Sequence, residues 1–251
     1  MNNYEHDKNL ITKFIQKYNL NGTIEGAQIR AEKDLLYTIF RNTEGNLRGE
    51  IVLNKSKIPE GIIGVYYTSK LLSMISILDN DISIEYKGEN IEENSIKSVK
   101  SIDFKDSKGR KVSYAASTLD LIDYDGKKGL IKDYEIEIKL DNIVVQDLLK
   151  CFNAITTTSL TILRKNNKMY AVFNYSGANV NQIEIEIEAK VDNEFDNDDF
   201  ISFPAGPIKE ILVVNSKAFD KASMNVSIKG IMEFKFQEKD ITSNYWLRKD
   251  N

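Results

Sequence analysis

Asn9-Leu-Ile-Thr-Lys-Phe-Ile-Gln-Lys-Tyr18 and Asn142-Ile-Val-Val-Gln-Asp-Leu-Leu-Lys-Cys151 are the two stretches that decide the fold. One constant offset carries Asn9 onto Asn142, Leu10 onto Ile143, Ile11 onto Val144, Ile15 onto Leu148 and Lys17 onto Lys150. The same offset carries Tyr37, Ile39 and Phe40 onto Tyr170, Val172 and Phe173. A repeat with a period of half the chain is far too long for a solenoid and indicates two similar domains.

The halves agree further along, in a looser register. Gly61–Tyr66 reads as a strand running into a helix over Thr68–Leu78. Phe200–Phe203 reads as a strand running into a helix over 206–215, with Pro207 at the first helical position. The registers Lys70 on Lys209, and Leu71-Leu72 on Ile211-Leu212, both fit these second helices. Helical periodicity falls at 7–18, 68–78, 141–153 and 206–215. Strand patterns fall at Thr23–Arg30, Leu35–Arg41, Leu47–Leu53, Asp81–Tyr86, Ser98–Phe104 and Arg110–Ala115. In the second half they fall at Tyr134–Leu140, Ser159–Arg164, Lys168–Asn174, Gln182–Lys190, Met224–Lys229, Ile231–Gln237 and Ile241–Arg248.

The expected class is therefore α+β, in two domains of two helices each packed on antiparallel sheets. Residues 1–116 and 134–251 form the domains and 117–133 the connector, broken by Asp-Gly and Lys-Lys-Gly. The connector carries Leu119, Leu121, Ile122 and Tyr124, apolar for a free linker. It is either a strand stitched onto one domain or a strap over a groove for partner peptides. The acidic stretch Asp192–Asp199 lacks EF-hand spacing and reads as a solvated loop.

A chain of 251 residues with 29% charged side chains and a net charge of −4 is ordinary for a globular protein. It has no run apolar enough to span a bilayer and no apolar leader at the N-terminus, so the cytoplasm is the expected compartment. The catalytic inventory is poor. The single histidine, His6, is expected in solvent near a frayed end, where it cannot serve a triad. The single cysteine, Cys151, is expected as a buried thiol and excludes a disulfide framework. No phosphate loop, dinucleotide fingerprint or zinc helix is present. No enzyme, metal site or cofactor is expected.

The first helix places Leu10, Ile11, Phe14, Ile15 and Tyr18 on one face and Lys13, Gln16 and Lys17 opposite, with Lys8 near its start. The third is expected to bury Val144, Leu148, Leu149 and Phe152 and to expose Gln146, Asp147 and Lys150. The second exposes Ser69, Lys70, Ser73 and Ser76, and the fourth Lys209 and Glu210. Lysines on helix faces of an acidic protein suit weak, sequence-blind contact with phosphates, or ordinary solvation. An acidic chain does not grip DNA tightly by charge, so topology must hold it there.

The segments 67–85 and 137–150, together with the duplicated order of elements, resemble the ring-shaped DNA sliding clamps. Within them the chain is most similar to the processivity clamps of T-even phages and more distantly to proliferating cell nuclear antigen. The resemblance implies a homotrimeric ring around duplex DNA that tethers a DNA polymerase and is loaded by a clamp-loader ATPase, in host cytoplasm if the protein is viral. It implies that Lys8, Lys13, Lys17, Lys70, Lys150 and Lys209 face phosphates, with the fourth helix departing from the pattern because it is short and carries Glu210. It places a head-to-tail subunit interface between Arg110, Lys111, Val112 and Tyr114 and a neighbour's Ile183, Glu184, Ile185 and Glu186, with Glu188 on the same face as the other acids. It implies that Leu119, Leu121, Ile122, Tyr245, Trp246 and Leu247 form or flank a partner-peptide groove; Trp246 reads equally as core. The alternative is a β-rich viral structural or assembly protein with duplicated domains and no DNA channel.

Overall fold

The structure is a computed structural model, and it describes residues 5–56, 58, 60–90, 97–122, 124, 133–176, 180–192 and 194–249. The first half runs β1 (Glu5–Asp7), α1 (Lys8–Asn19), β2 (Ala27–Glu32), β3 (Leu35–Arg41), β4 (Leu47–Asn54), β5 (Gly61–Val65), α2 (Thr68–Ser76), β6 (Asp81–Asn90), β7 (Lys97–Asp106) and β8 (Lys111–Ala115), then a 3-10 turn at Leu119–Leu121. The second runs β9 (Ile136–Leu140), α3 (Asn142–Ala154), β10 (Ser159–Lys165), β11 (Lys168–Phe173), β12 (Ile183–Ile187), β13 (Ala189–Val191), β14 (Phe200–Pro204), α4 (Ala205–Asn215), β15 (Lys221–Ser227), β16 (Ile231–Glu238) and β17 (Ile241–Arg248). The chain divides into two compact units, the first carrying β1 to β8 apart from residues 47–48 of β4, and the second β9 to β17 apart from residues 241–242 of β17.

The duplication is visible in the pairing itself. In the first unit β1 pairs with β6, β6 with β7, β7 with β8, β2 with β3 and β5, and β3 with β4. In the second unit β9 pairs with β15, β15 with β16, β16 with β17, β10 with β11 and β14, and β11 with β12. These are the same connections, element for element. Ile29 opposes Thr38, and Ile162 opposes Ala171, at the offset that carries Asn9 onto Asn142. Two features break the symmetry. Among the described residues, a short parallel joint between β5 and β7 occurs only in the first unit, and β13, paired to β9, occurs only in the second.

Local chemistry explains the helices. Asp7 caps α1 by accepting from Asn9 N at 2.8 Å, and Asp141 caps α3 by accepting from Val144 N at 2.9 Å; each satisfies a donor that a helix start leaves unpaired. The amide of Ser69, near the start of α2, donates to Glu25 Oε2 at 3.0 Å, a carboxylate at the positive end of the helix. In the first unit α1 buries Ile11, Phe14, Ile15 and Tyr18, and α2 buries Leu71 and Ile75. The rings of Phe14 and Tyr18, one turn apart, meet edge to face at 5.9 Å. In the second unit Val145, Leu148, Cys151 and Phe152 of α3 and Ile208, Ile211 and Leu212 of α4 fill the core, with Phe152 edge-on to Phe173 at 4.8 Å.

Several sequence expectations are corrected. His6 is not in solvent: it lies in β1 opposite Ile82 and is 9% exposed. The strand expected from Thr23 begins at Ala27, because Leu20, Asn21 and Gly22 carry positive φ and turn the chain after α1. The run Gln182–Lys190 is two strands, since the chain leaves one sheet at Glu188 and joins another at Ala189. On α3 Leu148 and Phe152 are buried as expected, but they are joined by Val145 and Cys151, whereas Val144 and Leu149 are only half-buried and Ile143 is exposed. Pro207 is the third residue of α4 rather than the first, still where a missing N–H costs nothing. That helix, at 11 residues, is longer than the nine-residue α2. The acidic loop is anchored by buried Phe195, whose carbonyl accepts from the Arg164 guanidinium. Among the described residues no cluster of metal-ligating side chains occurs and no helix is long and apolar enough to cross a membrane.

Candidate nucleic-acid interface

Each unit lays two helices side by side, α1 with α2 and α3 with α4. Their outward faces are polar and small: Asn9, Lys13 and Gln16 on α1, and Ser69, Lys70, Ser73 and Ser76 on α2. On α3 Asn142, Gln146, Lys150 and Asn153 are exposed alongside Ile143, and on α4 Lys209 and Glu210 are half-buried. Lys150 Nζ lies 2.7 Å from Asp147 Oδ1 one turn back, with both side chains well exposed, so the pair exchanges with solvent at little cost.

The six lysines do not share one environment. Lys13, Lys70 and Lys150 are exposed and Lys209 is half-buried. Lys17 is buried, at 3% exposure, because it sits beside Phe14 and Tyr18 at the flank of the apolar stripe. Lys8 turns away from the outward face: its ammonium donates to the carbonyls of Leu78 and, at 3.4 Å, Ser76, at the C-terminal end of α2. A cation at that end meets unpaired carbonyls and the negative pole of the helix. Lys8 is thus a fastener between α1 and the end of α2.

Both strands expected at a subunit interface are sheet edges among the described residues: β8 pairs only with β7, and β12 only with β11. In β8 Val112 and Tyr114 point into the core and Lys111, Ser113 and Ala115 outward. In β12 Glu184 and Glu186 are exposed and Ile183 and Ile185 half-exposed; Glu186 pairs with Lys168 at 2.8 Å. The basic groups expected to meet these acids already have acids of their own. Lys111 and Lys87 lie 2.9 and 3.0 Å from Asp103 Oδ2, and Ser113 Oγ donates to Oδ1 at 2.6 Å. With Ser113, Lys111 and Lys87 donating to it, Asp103 is held far below the usual carboxylate range.

Arg110 lies before β8, in the turn after β7. Its Nε lies 2.6 Å from Asp106 Oδ2 and its Nη2 contacts Asp79. Asp106 also accepts from the amides of Asp79, Lys108 and Arg110 at 3.0, 3.0 and 2.9 Å. Burial alone would raise the Asp106 pKa, but these donors outweigh it and hold the group down at about 2. Sequence patterns pointed to the arginine and lysine and missed Asp103 and Asp106. Asp106 has one signal, its place at the head of the turn Asp106-Ser-Lys-Gly109, where aspartate is favoured, and Asp103, in mid-strand, has none.

The start of the connector is fastened to the first unit. Ser117 N donates to Gly64 O at 2.9 Å, and Gln28 Nε2 donates to the carbonyls of Leu119 and Ile122 at 3.2 and 3.1 Å. The guanidinium of Arg30 lies 4.0 Å over the ring of Tyr124. A Cβ on Gly64 would stand 2.3 Å from Ser117 O, so only glycine admits the strap. Ile122 is buried beneath it, Leu119 is half-buried, and Leu121 is 69% exposed. The remainder of the connector, apart from Asp133, lies outside the described residues. The C-terminal trio divides by strand alternation. Tyr245 and Leu247 are fully buried in the second unit and unavailable to a groove, whereas Trp246 points outward and donates Nε1 to Glu233 Oε1 at 2.9 Å.

Neither a protein-family model nor any curated protein matches the sequence. Solved structures do match. Proliferating cell nuclear antigen (PCNA) from Entamoeba histolytica aligns over 100% of both chains, with TM-score 0.72 and 12% identity. PCNA of A. fulgidus, solved with the C-terminal region of FEN-1, aligns over 100% of this chain and 99% of that one, with TM-score 0.76 and 11% identity. The PCNA2–PCNA3 complex of Sulfolobus tokodaii aligns over 97% and 96%, with TM-score 0.72 and 10% identity. At such identities the likeness speaks for architecture alone: from end to end, this chain has the duplicated α+β fold of the PCNA sliding clamps.

Proposed function

We propose that this chain is the subunit of a sliding clamp: a homotrimeric ring that encircles duplex DNA and tethers a replicative polymerase, with no chemistry of its own. The observation that carries this reading is the end-to-end match to PCNA structures by a chain whose two units repeat the same strand pairing and the same helix pair. The outward helix faces favour it further, being built of short polar side chains with scattered lysines. Such a surface slides over phosphates without gripping them. Lys13, Lys70, Lys150 and Lys209 carry the phosphate contact in this reading, and Lys8 and Lys17 are removed from the set.

The two free edges, β8 and β12, supply the unlike ends that a head-to-tail ring needs. With Arg110 and Lys111 bonded in-chain, this junction relies on main-chain pairing and on Glu184, which has no ion pair among the described residues. The match to a PCNA solved with the C-terminal region of FEN-1 supports a peptide partner, and this reading assigns it to the face around half-buried Leu119 and exposed Leu121. A clamp loader is the expected opener of the ring.

Light scattering on the purified protein tests the assembly, and a primer-extension assay on primed circular DNA with a cognate polymerase and loader tests the activity. Three 28.7 kDa subunits and longer products are expected. A monomer at every concentration, together with no stimulation, refutes the proposal.

A further inference from the structure

In the first unit both edges of β5 are occupied. β2 pairs on one side, and on the other β7 runs parallel and sets Ser98 and Val99 opposite Ile62 and Ile63. The equivalent strand of the second unit is β14, which pairs only with β10 among the described residues. The bonds from Ala205 N to Thr158 O and from Arg164 N to Asp199 O fix which way its main chain faces. Opposed residues of an antiparallel ladder alternate between bonded and non-bonded pairs. Ile201 and Phe203 therefore bond to β10, and the N–H and C=O groups of Phe200 and Ser202 point to the open edge. Pro204 ends that edge without a donor.

Apolar surface and acid flank the head of this edge. Phe200 is 53% exposed and sets its ring 5.1 Å from that of Tyr175, itself 38% exposed. Glu194, Asp196, Asp198 and Asp199, just before β14, are exposed, and none has an ion pair among the described residues. Two bases lie in the adjoining turn, which is tied to this loop by Asn167 N donating to Asn197 Oδ1 at 2.8 Å. The Arg164 guanidinium is bonded to the Phe195 carbonyl, and Lys165 is exposed. Four acids against two bases leave the head of β14 negative.

These features select the occupant. An open edge takes an extended segment through main-chain pairing. The joint between β5 and β7 gives the direction, parallel, which puts the N-terminal end of the segment at the acidic head of β14. The acids call for a base there. The aromatic pair calls for a large apolar side chain two positions on, since residues two apart share a face.

We propose that the open edge of β14 is a docking site for an extended segment of a partner protein, paired parallel to the strand. A basic residue of the segment meets Asp198 and Asp199, and an apolar residue two positions later covers Phe200 and Tyr175. β14 and β12 are opposite edges of one four-stranded sheet, so this site and the ring junction do not compete for an edge. The surface goes beyond the clamp reading and stands whether or not the protein forms a ring.

The probes are end-blocked, fluorescein-labelled hexapeptides with the cores Arg-Thr-Val, Val-Thr-Arg and Glu-Thr-Val. Fluorescence anisotropy is expected to show the Arg-Thr-Val peptide binding about tenfold more tightly than either other. Amide exchange read by NMR should slow at Phe200 and Ser202 and stay unchanged at Ile201 and Phe203, which already bond to β10. Phe200→Ser is expected to weaken binding about tenfold while the protein still melts cooperatively. Asp198→Asn combined with Asp199→Asn should erase the preference for the basic over the acidic peptide. Asparagine tolerates the positive φ at 198 and keeps the acceptor that Asp199 offers Asp196 N. No binding at millimolar peptide, equal binding of all three, or a preference that survives the double substitution overturns the proposal. Protection of Phe200 and Ser202 that rises with protein concentration alone also overturns it, by making a second copy of the chain the occupant.

Discussion

Single side chains explain why lysines of similar appearance do different work. Lys8 holds the end of α2 and Lys70 is exposed on the outward face of that helix, so their removal separates stability from function. Lys8→Met is expected to cost about 0.5–1 kcal/mol in chemical denaturation, the worth of a cation at a helix C-terminus. Lys70→Gln should leave that curve in place and lower processivity instead. Gly64→Ala sets a methyl against Ser117 O, and overpacking of this kind costs about 1–3 kcal/mol; release of the strap should show as faster amide exchange at Ser117 and Ile122.

Asp106 makes a pH-dependent prediction at the same scale. Its carboxyl titrates near 2 in the folded protein and near 3.9 unfolded. Protons therefore bind the unfolded chain first as the pH falls. The stability this group supplies is complete above about pH 4 and is lost between there and about pH 2. Asp106→Asn should lower the melting temperature at pH 7 and flatten that acid limb of the stability curve.

Among the elements, the paired caps Asp7 and Asp141 begin equivalent helices, α1 and α3. Asp141→Ala is expected to cost about 1 kcal/mol, and Asp7→Ala a similar amount, measured by urea unfolding. All four helices were legible in the sequence within a few residues, because each carries an apolar period of 3.6 and two open on an aspartate cap. β1 was not: three residues have no period to read, and Glu5–Asp7 becomes a strand only because β6 stands beside it. The split at Glu188 was hidden for the opposite reason, since the alternation from Ile183 runs unbroken to it while the change of sheet is a tertiary event. Lys17 shows the limit of two-faced helix reading. Three residues after Phe14 is about 60° around the helix, inside the buried arc rather than opposite it. The partners of Arg110 and Lys111 were equally out of reach, because Asp79 and Asp103 meet them only through strand pairing.

For the whole molecule the net charge of −4 decides how it can stay on DNA. Counterion release by a few lysines gives weak, salt-sensitive binding, so retention in the clamp reading is topological. Protein loaded on closed circular DNA should remain bound through gel filtration at about 0.3 M salt and be lost when the circle is cut once by a nuclease. Loss from intact circles at the same rate would count against a closed ring. The sole thiol has a practical consequence for such experiments. Cys151 faces the core of the second unit, and burial raises its pKa and suppresses the thiolate that maleimides attack. A cysteine placed at exposed Ser73 or Glu184 is then the one fast-reacting thiol in the chain, ready for a single dye without prior removal of the native residue. The slow labelling of Cys151 that remains becomes a clock for the opening of α3.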